Sequence, residues 1–170
     1  MRTMLGRTSA MLIALLLLTK TATADDANRR VAVQWLDSGG QSVSVKTFTA
    51  TAVYDGVASV APVATAVEES TQNVFVHSTP GVTVPDAGDW VLSYWSDKSN
   101  GTTDWVGPGG QTVRAEGTSV IGADPTTVRV SGFLTDDGAP TIAGARAGLE
   151  ATADGKTTAA VMVTLVLQSQ

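Results

Sequence analysis

His77 is the single histidine of the chain, and Ser78 follows it directly. A hydrolytic serine needs a histidine to take its proton and an acid to orient that histidine. Neighbouring residues of an extended strand point to opposite faces, so Ser78 is no partner for His77. No G-x-S-x-G elbow presents another serine, and Gly117-Thr118-Ser119-Val120-Ile121-Gly122 has the wrong spacing. His77 is therefore expected to be a strand-end residue. One histidine and no cysteine leave a zinc site short of ligands. Gly155-Lys156-Thr157 matches the end of a phosphate-binding loop, but Glu150 stands where its first glycine should be. That segment reads as a hairpin turn.

Oxygen ligands are better supplied. In Asp97-Lys98-Ser99-Asn100-Gly101-Thr102-Thr103-Asp104, the side chains of Asp97, Asn100 and Asp104 surround a glycine turn and form a candidate calcium site. Lys98 lies inside it and the twelve-residue EF-hand spacing is absent, so a plain turn competes. Apart from calcium no cofactor is expected. Glu68-Glu69 and Asp136-Asp137 fall in expected loops and read as solvated acids; a glycosidase pair is defined by separation in space. With no triad, zinc or phosphate motif, an enzyme is not expected.

Trp90, Tyr94, Trp95 and Trp105 cluster within residues 90–105. Alternation puts Trp90, Leu92 and Tyr94 on one face and Trp95 on the other, so Trp95 faces outward if the first set lines the core. Trp105 comes just after a loop. Trp95, Trp105 and Tyr94 are thus candidate ligand-binding residues, because exposed aromatic rings are flat apolar platforms with a polar handle, suited to sugars. The competing expectation is that neighbouring loops cover them, since tryptophan is highly buried on average.

The elements that would position these residues are strands. Period-two runs rich in Val and Thr occur at 30–36, 42–54, 73–77, 89–96, 126–134 and 158–167. Turn signals separate them, among them Asp37-Ser38-Gly39-Gly40, Asp55-Gly56, Pro85-Asp86-Ala87-Gly88, Gly107-Pro108-Gly109-Gly110, Asp136-Asp137-Gly138 and Asp154-Gly155. Residues 55–72 read as a crossover between sheets, and 139–151 as a loop leading into a short strand at 148–152. The expected fold is all-β: a single antiparallel β-sandwich, jelly-roll or immunoglobulin-like.

Asp89 to Lys98 (DWVLSYWSDK), with Trp105 to Arg114, Val130 to Pro140 and Ala160 to Leu167 in the same order, resembles a β-sandwich module of actinobacterial secreted proteins. Such modules often stand beside polycystic-kidney-disease (PKD) or fibronectin type III domains. The resemblance spans about residues 30–168 and implies a fold but no reaction, cofactor or catalytic residue. Modules of this kind are longer at the N-terminus. The resemblance therefore also implies a shortened module, whose unpaired edge would favour self-association.

Residues 1–24 differ in kind. Arg2 and Arg7 precede an apolar run from Met11 to Leu18, and Ala22-Thr23-Ala24 precedes Asp25-Asp26. This is the order of a secretory signal peptide. The run is too short for a membrane-spanning helix, which takes about 20 residues. The expected organisation is a leader at 1–24 and a secreted domain at 25–170. Losing the leader removes three basic residues and no acid, so the formal charge of −5 becomes −8. An acidic chain without a Lys/Arg cluster is no nucleic-acid binder. Four expectations follow for function and partners. They are an exported non-enzymatic binding or adhesion module directed at a polysaccharide or cell-wall glycan, a structural spacer without a ligand, a truncated module, and, last, a small secreted hydrolase.

Overall fold

The structure, a computed structural model, describes residues 39–42, 46–58, 61–119, 128–157 and 159–170. The expected leader at 1–24 and the expected strand at 30–36 lie outside the described residues.

The alternating Val/Thr runs form antiparallel strands. In chain order they are β1 (Ala64–Ser70), β2 (Val74–Ser78), β3 (Val82–Val84), β4 (Trp90–Ser99), β5 (Trp105–Val106), β6 (Thr112–Thr118), β7 (Arg129–Asp136), β8 (Gly144–Arg146), β9 (Glu150–Thr157) and β10 (Ala160–Leu167). They build a five-stranded sheet, β1-β10-β4-β7-β6, a three-stranded sheet, β2-β9-β5, and a two-stranded ribbon, β3-β8. Every pairing among them is antiparallel. The expected all-β sandwich is what the chain forms.

The five-stranded sheet is covered on both sides. On its inner face Trp95, Phe133 and Met162 meet Trp105, Ala151 and Ala153 from the three-stranded sheet. Val91 and Val166 meet Val84 from the ribbon. On its outer face Leu92, Leu134, Val161, Val163 and Leu165 are packed against Ala50, Ala52 and Tyr54. Double coverage explains why β10 (AVMVTLVL) is apolar at every position but Thr164 and buried through seven of its eight residues.

The outer covering is a strap, residues 46–54. It was expected as part of a strand over 42–54, and it does run with the strand period: Phe48, Ala50, Ala52 and Tyr54 are half-buried while Thr49, Thr51 and Val53 are exposed. Yet among the described residues no backbone hydrogen bond is made by residues 47–53. Among the described residues, side chains hold it. Gly117 and Gly132 are directly paired on β6 and β7, and a Cβ on Gly132 would overlap the Phe48 ring. The two glycines leave a flat seat for that ring, which also lies 6.4 Å from Tyr94.

Two expectations need correction. The crossover expected at 55–72 contains β1, an edge strand of exposed and half-buried residues whose weak alternation hid it. The turn expected at Asp154-Gly155 is the middle of β9. A Cβ at Gly155 would strike the backbone of Gly101 and Thr102, so this glycine permits close approach of two backbones and does not reverse the chain.

The seat gives a direct test. Gly132→Ala should cost about 1–3 kcal/mol by overpacking, measured by urea unfolding. In a Phe48→Ala background the same change should cost much less. Equal costs in both backgrounds would mean that Phe48 does not occupy the seat.

Candidate functional site

Strand alternation sends Val91, Ser93, Trp95 and Asp97 of β4 to one face and Trp90, Leu92, Tyr94 and Ser96 to the other. Because both faces are covered, neither set lies open to water: Trp90 and Tyr94 are half-buried and the other six are buried. Trp95 is 0% exposed and Trp105 5%. The expectation that Trp95 faces outward is thus overturned, and Trp95, Trp105 and Tyr94 form no surface platform. Tyr94 is half-buried against Phe48. Trp105 stacks on Phe133 between the sheets, ring centroids 6.4 Å apart and planes within 6°.

What the inner face holds instead is a polar cluster around Asp97, itself 1% exposed. Its Oδ1 accepts a hydrogen bond from Ser131 Oγ and its Oδ2 one from Thr102 Oγ1, both at 2.5 Å. Ser131 Oγ also accepts from the Trp105 indole N–H at 2.9 Å. The Trp95 indole N–H donates to the His77 carbonyl at 2.9 Å. His77 is 2% exposed, with its ring centroid 5.9 Å from that of Trp105. Burial pushes the Asp97 carboxyl up and the two hydroxyls oppose it. Burial pushes the His77 imidazole down, with Asp97 acting against the shift.

The three residue types of a hydrolytic triad therefore do share one region, as His77, Asp97 and Ser131. Their arrangement is not nucleophilic. The Ser131 hydroxyl donates to Asp97 rather than to an imidazole, and Ser131 is 0% exposed, so no substrate meets it. His77 lies at the end of β2, one residue before its last, and faces inward.

The calcium set is not assembled. Asp97 turns into the core with both oxygens engaged, while Asn100 and Asp104 are exposed. Among the described residues no group of three metal-binding side chains occurs. The loop is pinned from β9. Asp154 of β9 accepts from Thr103 N–H at 2.7 Å, Thr103 Oγ1 at 2.6 Å and Asp104 N–H at 3.1 Å.

The expected solvated pair Asp136-Asp137 is also corrected. Asp136 is 0% exposed and accepts from Tyr54 Oη at 2.6 Å, Arg114 Nε at 2.6 Å, Arg114 Nη2 at 3.1 Å and Gly138 N–H at 2.8 Å. It fastens the C-terminal end of the strap to the sheet. Asp137 pairs with Arg146 at 2.7 Å and accepts from Gln111. Glu68 and Glu69 are exposed as expected, but on β1 and not in a loop.

Sequence reasoning missed one surface, the outward face of the three-stranded sheet. Register places Val76 of β2 beside Thr152 of β9 and Thr152 beside Val106 of β5. Val76 is 44% exposed and Val106 67%. A register break between Val74 and Val76 accompanies outward exposure of Phe75, 43% exposed, with Lys156 Nζ 5.0 Å from its ring centre. Ser78, Glu150, Asp154 and Lys156 surround this strip and are exposed. The alternation of Glu150, Thr152, Asp154 and Lys156 against Ala151, Ala153, Gly155 and Thr157 was legible as a strand with one wet face. The Asp-Gly pair disguised it.

No protein family, curated protein or solved structure matches this chain.

Two substitutions separate these networks. Asp97→Ala should destabilise by about 3 kcal/mol, because it strands buried hydroxyls and leaves a void. Asn100→Ala and Asp104→Ala should change stability by less than about 0.5 kcal/mol, and EGTA should leave Tm unchanged. Asp136 should reveal itself through acid. Burial raises its pKa, but the Arg114 guanidinium, the Tyr54 hydroxyl and the Gly138 N–H together hold it below the ordinary 3.8. Its contribution is complete above that value and fades as pH falls through the lower folded-state pKa. Asp136→Asn should therefore lose stability at pH 7 and differ little from the parent at pH 2, read by urea unfolding at both.

Proposed function

We propose that this chain is an exported, non-enzymatic binding or adhesion module, and that it presents the outward face of the β2-β9-β5 sheet to a neutral polysaccharide. The observation that carries the reading is the strip Phe75–Val76–Thr152–Val106, in which three exposed apolar side chains share one face of one sheet, whereas Val53, Val67, Val113 and Ile142 are exposed elsewhere on other elements. The buried groups near His77 and Asp136 have internal roles in packing and hydrogen bonding. In this strip the exposed apolar side chains stand on neighbouring strands and are bordered by hydrogen-bonding groups.

Such a strip suits a sugar chain. The C–H faces of pyranose rings pack on Phe75 and the valines. Ser78, Thr152 and Glu150 offer donors and acceptors to the ring hydroxyls. The acidic balance of the chain, −5 overall, disfavours polyanionic glycans and nucleic acids. The leader-like order of residues 1–24 supports an extracellular setting.

Isothermal titration with neutral cell-wall and storage polysaccharides tests this. Phe75→Ala should weaken binding at least about tenfold, which is 1.4 kcal/mol. Val67→Ser, on the edge of the other sheet, should leave it unchanged. Silence across the panel would remove the glycan reading and favour a structural spacer.

A further inference from the structure

We infer that His77 is an interior proton-binding site, so that mild acid loosens β2 from the five-stranded sheet. His77 is 2% exposed, and neither ring nitrogen has a hydrogen-bond partner among the described residues. A neutral imidazole carries one donor and one acceptor; once protonated it carries two donors and a full charge. The space around it meets neither need.

The surroundings show what a proton would disturb. From β4, Asp97 is the charged group that faces the ring, and both its oxygens already accept hydroxyl protons from Ser131 and Thr102. Also from β4, Trp95 reaches across to the His77 carbonyl. From β5 the ring meets Trp105, and on β9 its register partner is Ala151; neither residue is titratable. On β2 itself the Val74 carbonyl favours the charged ring but falls outside hydrogen-bonding geometry. Outside the cluster, Glu150 and Lys156 lie on the wet face of β9.

A proton on His77 therefore has two outcomes. Either Asp97 is pulled from Ser131 and Thr102, or the imidazole moves into water. The second is easier. β2 is an edge strand of five residues with a register break, so its outward movement disrupts one ladder only. That movement exposes the apolar patch of Trp105, Ala151 and Ala153. The linkage sign follows from the lowered pKa of the buried ring. Above the ordinary value of 6.5 neither state takes the proton. Below it the open state binds the proton first, so stability falls as pH drops.

Because the chain has one histidine, its Cε1–H resonance is unambiguous in NMR spectra. The test follows Tm and that resonance from pH 7.5 to 5.0 in the full chain and in His77→Phe. The parent should lose about 5 °C more than the variant over this range. The His77 resonance should keep its neutral position in the folded state, with an exchange-broadened open form appearing as pH falls. Parallel Tm curves for parent and variant would overturn the inference. A resonance titrating freely near 6.5 with no loss of Tm would do so even if His77→Phe fails to fold.

Discussion

A carboxyl group in the middle of a sandwich is the constraint around which the inner layer of this protein is arranged. Asp97 cannot be left bare in a medium without water, where an unpaired polar group costs several kcal/mol. Its two oxygens take hydrogen bonds from β7 through Ser131 and from the loop after β4 through Thr102. Ser131 in turn fixes the Trp105 indole of β5. One side chain thus joins the central strands of the large sheet to the edge of the small one. Trp95 completes the link by bonding the backbone of β2. Apolar contact alone would let two flat layers slide, whereas directional bonds between them define one registration.

The outer layer is fastened by a second carboxylate with a different character. Asp136 has a guanidinium, a phenol and a backbone amide as donors, all at one end of the strap. Burial and bonding to Asp136 also raise the Tyr54 phenol far above its ordinary range, which favours its role as a donor. Asp97 has only neutral donors in direct contact, and its pKa moves up; Asp136 faces Arg114, and its pKa moves down. Two buried aspartates thus respond oppositely because their immediate donors differ in charge.

Much of the architecture was legible in the residues. The alternating runs at 73–77, 89–96, 126–134 and 158–167 correspond to β2, β4, β7 and β10. The errors share a physical origin. Period-two patterning marks two faces but does not say whether one or both are covered, so Trp95 was read as outward. Glycine has several uses, and Gly155 serves close backbone approach where a turn was expected. Short or polar strands such as β1, β5 and β8 carry little periodic signal and exist because a neighbour offers hydrogen bonds. The candidate surface on β2, β9 and β5 was hidden for the same reason: it depends on which strands become neighbours, which alternation does not encode. The Asp97 and Asp136 networks join residues 34 and 82 positions apart, beyond the reach of local pattern.

The strap separates two properties that usually travel together. Its inward side chains are seated in the hydrophobic layer, yet its peptide groups from 47 to 53 pair with no described backbone. Amide exchange is slowed by hydrogen bonding that must open, and not by side-chain burial as such. This stretch can therefore be anchored while its amides trade deuterium as quickly as those of a loop.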